Sequence, residues 1–191
     1  MNRFPVLTDE EMTDAQRAVA AEIASGPRGE VRGPFLALLH NPELARRLQG
    51  VGEYLRFQTG LPGRLVELAI LVTARHFTCQ YEWYAHERLA RKANLPEPVI
   101  AAIAAGRVPP GMTAEEAIVH TFATEALQNG QPGDDAFAAA REQFGLDQVL
   151  SLLAICGYYS TLALVLNTAR LPLPQNAPPP LSELSPPSPI A

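Results

Sequence analysis

Apolar residues recur along this chain at helical spacing, in blocks separated by glycine, proline and capping residues, and period-two alternation is almost absent. The pattern predicts helices throughout. Thr8-Asp9-Glu10-Glu11 has the form of a capping box and predicts a helix toward Ala24, which Ser25-Gly26-Pro27-Arg28-Gly29 then breaks. A short helix is predicted over 34–40. Asn41-Pro42 sets a cap followed by proline at the first helical position, predicting a helix to about Thr59. After Gly60-Leu61-Pro62-Gly63, the spacing predicts a strongly apolar helix over 64–76, a second over 79–93 and a short one over 96–105. Thr113-Ala114-Glu115-Glu116 is another capping box, opening a helix to Gln128. Asp134 or Asp135 caps a helix ending at Phe144-Gly145, and a last helix runs from Leu146 to about Arg170.

That last helix holds an uncharged run over 149–166, long enough to raise the question of a membrane span. Ser151, Gly157, Tyr158, Tyr159, Ser160 and Thr161 interrupt the run, and a helix apolar all round also suits the centre of a soluble oligomer. Burial against other subunits is the expectation, with no membrane partner. Beyond Leu171, prolines at 172, 174, 178, 179, 180, 186, 187 and 189 forbid a helix. The chain therefore divides into one helical domain over 1–171 and an extended or disordered tail over 172–191, either wrapped on a neighbouring subunit or solvated.

Composition narrows the partners. The 191 residues, 47% of them hydrophobic, can bury one core without disulfides or a structural metal. A net charge of -5 with only 15 basic residues and no basic block argues against nucleic acid and for a small-molecule substrate or another subunit. The only two cysteines are Cys79 and Cys156, and no basic-then-apolar segment opens the chain, which fits a reduced, cytoplasmic setting.

Chemistry-bearing residues concentrate in Thr78-Cys79-Gln80-Tyr81-Glu82-Trp83-Tyr84-Ala85-His86. At helical spacing Cys79, Glu82, Trp83 and His86 share one face. A packing face is normally filled with Leu, Ile, Val and Ala, so one that gathers a thiol, a carboxylate and an imidazole around a large aromatic reads as a site. With Thr78 as cap, Cys79 falls in the first turn, where free backbone N–H groups and the helix dipole favour a thiolate. Each residue also has a plainer role open to it. Glu82 and His86, at i and i+4, would contribute roughly a few tenths of a kcal/mol as a surface pair. Cys79 would serve as a small buried hydrophobe and Trp83 as a core or interface aromatic. His40 reads as a packing or capping residue, and His76 and His120 as structural or surface residues.

His40-Asn41-Pro42, the helix containing Glu67, Arg75-His76, the Cys79 to His86 motif and Gly157-Tyr158-Tyr159 leading to Asn167 together span about 35–172. In these features the chain resembles the carboxymuconolactone decarboxylase family, which includes the alkylhydroperoxidase D-type proteins. The resemblance implies an all-α, alkylhydroperoxidase D-like helical bundle that assembles as a homo-oligomer, a trimer or hexamer. The family's peroxidase branch has a glutamate, a Cys-x-x-Cys pair and a histidine, matched here by Glu67, Cys79 and His86. The second cysteine's position is Glu82, so the local disulfide of that branch cannot form. Cys156 would replace it only within about 7 Å of Cys79 between Cα atoms.

The resemblance that remains is to the decarboxylase-like branch, with proton transfer in place of thiol exchange. His86 is the expected general acid or base, because its unperturbed pKa lies nearest working pH, with Glu67 or Glu82 orienting it. Arg75 and Arg56 are candidates to hold substrate carboxylates, and Cys79 and Trp83 to line the pocket. The expected function is that of a carboxymuconolactone decarboxylase-like carboxy-lyase acting on a small carboxylated or lactone substrate. A thiol-dependent peroxidase relying on Cys79, and a non-catalytic oligomeric binding protein, are the alternatives. Glu67, Glu82 and His86 include metal-ligand atom types. The chain has no His-Glu-x-x-His, no paired Cys-x-x-Cys and no second histidine at i+4 to His86, so neither a metal nor a cofactor is expected.

Overall fold

Eight α-helices and one 3-10 turn make up the regular structure of the computed structural model, which describes residues 2–27 and 29–183, and no strand occurs among those residues. The helices are α1 (Asp14–Ser25), α2 (Pro34–Leu38), α3 (Pro42–Phe57), α4 (Gly63–His76), α5 (Gln80–Lys92), α6 (Glu97–Ala104), α7 (Ala114–Asn129) and α8 (Asp134–Ala169). Their order is the predicted one. Asn41 caps α3 by accepting from the Leu44 N–H, with Pro42 leading the helix. Thr113 and Glu116 close the reciprocal capping box of α7. The first helix starts later than predicted. Thr8 and Glu11 do bond to each other, but they close only a turn, and α1 begins after Thr13, whose own box with Gln16 leads straight into the run that buries Val19 and Ile23.

The two helices expected on either side of Phe144-Gly145 are arms of one element, α8, which turns at Gly145 with φ 76° and ψ 166°. No heavy atom lies within 4 Å of a Cβ placed there, so glycine is required by the backbone conformation and not by crowding.

α4 is central: every residue from Leu65 to Arg75 is buried, and it packs against α5, α6, α7 and α8. A helix enclosed on all sides must be largely apolar all round, which explains the run in its sequence that only Glu67, Thr73 and Arg75 interrupt. The second arm of α8 adds Val149, Leu152, Ile155, Tyr158, Tyr159 and Leu162 to the same core. Of its most apolar 18-residue window, 56% is buried within the chain's own fold, so this core accounts for much of the hydropathy that raised the question of a membrane. The rest is a stripe: Leu146, Leu150, Leu153 and Leu164 recur along one face of α8 and are exposed.

Beyond Arg170, whose left-handed backbone ends α8, the chain is extended apart from a 3-10 turn at Pro174–Asn176. It returns to the body at Leu181, which is only 4% exposed and belongs to the main core. Gln80 holds Leu181 by two hydrogen bonds, its Nε2 donating to the carbonyl at 2.8 Å and its Oε1 accepting from the N–H at 2.9 Å. Arg75 Nη1 donates to the Ser182 carbonyl at 2.8 Å. The proline-rich segment is thus strapped to its own subunit as far as Ser182, and the core draws on a residue beyond the boundary set at 171. The rest of the tail, 184–191, lies outside the described residues.

Candidate active site

Only Phe77, Thr78 and Cys79 join α4 to α5. Thr78 adopts a left-handed φ of 46°, and the N–H groups of Thr78 and Cys79 return to the carbonyls of Arg75 and Ala74 at 3.0 and 2.8 Å. The resulting αα-hairpin sets Glu67 of α4 opposite His86 of α5. The Glu67 Oε2 lies 2.7 Å from His86 Nδ1, and Glu82 Oε1, one turn back on α5, lies 3.1 Å from His86 Nε2. All three residues are buried. Tyr159 of α8 presses against the imidazole in an edge-on contact, with ring centroids 5.0 Å apart.

With a carboxylate at each ring nitrogen, both nitrogens are donors and the ring is held as an imidazolium. Burial pushes its pKa down. The charges and hydrogen bonds of Glu67 and Glu82 outweigh that and raise it to about 9. Burial, reinforced by the charge of Glu82, pushes the Tyr159 phenol well above its ordinary range, so it stays protonated.

Glu82, His86 and Tyr159 face a cleft of about 710 Å³, a volume suited to a small molecule. Glu67 stands behind His86, outside the lining. Four cations, Arg32, Arg56, Arg88 and Lys92, line the same cleft. At its edge Gly33 begins α2 with φ 59°, and a Cβ there would come within 3.1 Å of the Tyr81 ring, so the loop closes against the cleft only with glycine.

Glu67, Glu82 and His86 therefore converge as expected, and three other predictions are corrected. Trp83 is 1% exposed and packs in the main core, not in the cleft. Cys79 is fully buried in a small apolar cluster with Ala163 and Leu166. Arg75 is buried and turns away, donating to the carbonyls of Ala104 and Ser182 and to Thr78 Oγ1, whereas Arg56 lines the cleft. The helix geometry explains the sorting. At ~100° per residue, Cys79, Trp83 and Ala90 point to the core, while Ala85, Leu89 and Lys92 point to the cleft. Glu82 and His86 sit on the seam between these faces. Extending the cleft side of this wheel along α5 would have found Arg88 and Lys92. Arg32 and the strap residues Pro174 and Gln175 carry no such local signal.

The thiolate expectation also fails. Cys79, not Thr78, is the N-cap, and the N–H groups of Tyr81 and Glu82 do approach its sulfur, but burial dominates and pushes the thiol up to about 12. Burial pushes Cys156 up to about 11. Both cysteines are free and sit in different apolar clusters. Both His86 nitrogens are engaged by carboxylates, and among the described residues no group of three or more His, Cys, Asp or Glu is arranged to hold a metal ion.

Residues 42–125, which contain Glu67, Glu82 and His86, match the Carboxymuconolactone decarboxylase family, so the resemblance read from the sequence holds over that stretch. The fold is that of the alkylhydroperoxidase D-like proteins. An alkylhydroperoxidase AhpD core from Ralstonia eutropha, an uncharacterized peroxidase-related protein, superposes with a TM-score of 0.71 at 21% identity, covering 91% of this chain and 93% of that one. A protein of unknown function from Agrobacterium tumefaciens, provisionally described as the antioxidant defence protein AhpD, superposes with a TM-score of 0.65 at 20% identity, covering 72% of this chain and 94% of that one. No curated protein matches the chain.

Proposed function

We propose that this chain is a carboxymuconolactone decarboxylase-like enzyme that acts on a small carboxylated or lactone substrate by proton transfer through His86. The observation that carries this reading is the imidazole bracketed by two carboxylates, 2.7 and 3.1 Å away, on the floor of a cleft lined by four cations. The cations favour an anionic substrate, with Arg56 the candidate for its carboxylate. Loss of carbon dioxide leaves the electron pair of the broken C–C bond on the substrate as an enolate-like anion. His86 Nε2–H donates its proton to that carbon, and water restores the proton by way of Glu82. Glu67 holds Nδ1–H throughout, fixing the ring and stabilising its charged form.

The peroxidase-related and antioxidant descriptions of the structural neighbours favour a second reading, thiol-dependent peroxide reduction. Turnover of γ-carboxymuconolactone by wild type, Cys79→Ser and His86→Gln, with peroxide consumption assayed in parallel, decides between them. The acid/base reading expects turnover to survive the cysteine change and vanish with the histidine. Peroxide consumption that requires Cys79 would overturn it, and no turnover in either assay would remove γ-carboxymuconolactone as the substrate and leave a different carboxylated substrate or a binding role.

Self-association through α8 belongs to the same proposal, supported by the exposed stripe of Leu146, Leu150, Leu153 and Leu164. Gel filtration of wild type should give a multimer that Leu150→Glu dissociates. A wild-type chain eluting at its monomer mass of 20.7 kDa would sink this part. The two free cysteines support a reducing, cytoplasmic location.

A further inference from the structure

A second concavity, of about 430 Å³, adjoins the His86 cleft. Leu36 of α2 and Leu171, Pro172 and Leu173 of the strap supply its apolar lining, and it shares Tyr81, Pro174 and Gln175 with the cleft. The two spaces differ in chemistry. The cleft is lined by cations, whereas no charged residue lines the annex. Gln175 of the shared wall and the neighbouring Asn176 have left-handed backbones, φ 57° and 54°. Downstream the strap is clasped: Leu181 enters the core, Gln80 bonds its N–H and carbonyl, and Arg75 donates to the Ser182 carbonyl. Gln80 opens the same helix that carries Glu82 and His86, so the clasp and the acid/base group are built on one helix.

We propose that the annex seats the apolar part of a ligand whose anionic end lies against Arg56 and His86. The ligand class is then a carboxylic acid bearing an apolar chain or ring of several carbons, an inference that rests on the anionic substrate proposed above. The annex adjoins the cleft along three shared residues, so one molecule can span both spaces. Its uncharged lining rejects a second anionic group and takes only the apolar end.

The test titrates the full chain with acetate, butyrate, hexanoate and octanoate, and with hexanol and octanol, following the His86 ring resonances. Once the acid chain reaches the annex, each added methylene should tighten binding about two- to fourfold, and acids should bind more tightly than alkanols of equal length. Leu173→Glu, on the half-exposed strap and outside the core, should abolish the chain-length dependence; Leu173→Ser should reduce it. A flat series in which acetate and butyrate still shift His86 would overturn the annex and leave the cleft's preference for anions standing. A chain-length dependence that persists in Leu173→Glu would also overturn it. Alkanols binding as tightly as the acids would overturn the anionic end, and with it the proposed substrate class.

Discussion

His86→Ala is expected to cost about 3–5 kcal/mol of folding stability near pH 7, the range typical when one partner of a buried charge cluster is removed. Among the described residues the imidazole is the only cation bonded to Glu67 and Glu82, whose side chains are 11% and 5% exposed. Removing it leaves two carboxylates facing each other across a cavity, Glu67 shut off behind the site and Glu82 open to water only through the cleft. Urea unfolding of wild type and variant measures the loss directly. Two facing carboxylates repel, and removing one of the two charges should lower the cost. Glu67→Gln in the His86→Ala background should recover part of the loss for the same reason. A loss below about 1 kcal/mol would mean that Glu82 and His86 behave as the exposed i,i+4 pair that their spacing also allowed.

The contrast between that surface pair and the buried triad marks the limit of what the sequence can show. The helices were legible because their punctuation is local: Asn41-Pro42, the Thr113 box and Gly145 each act within a few residues of where they stand. Glu82 and His86 were legible for the same reason, being one turn apart on one helix. Glu67 came only through family resemblance, since 19 residues and a tight hairpin separate it from His86. The errors share one cause. Position on α5 was read to the nearest face, and the seam between core and cleft is narrower than that, so Trp83 and Cys79 were drawn toward the cleft. Arg75 was misplaced because its destination, the Ser182 carbonyl, is 107 residues away on a strap that composition marks only as extended.

The pH dependence of stability isolates His86 further. Its folded pKa is raised from 6.5 to about 9, so below about 6.5 the folded and unfolded chains both carry the proton and the stabilisation from the two carboxylates is complete. Between those values only the folded chain holds the proton. Unfolding then releases it, and stability falls as pH rises. Above about 9 the contribution is gone. The full decline amounts to roughly 3 kcal/mol, at no more than about 1.4 kcal/mol per pH unit. Other perturbed groups fall outside this window. Burial pushes His76 and His120 below the ordinary histidine range, so their effects come at lower pH, and the two cysteines add to the loss only once unfolded thiols ionise near 9. Chemical unfolding of wild type between about pH 6.5 and 8.5 should therefore show a steady loss that His86→Gln lacks. A flat wild-type profile would mean that the imidazole is neutral in the folded protein. His86 would then not be the charged acid that the proposed proton transfer uses.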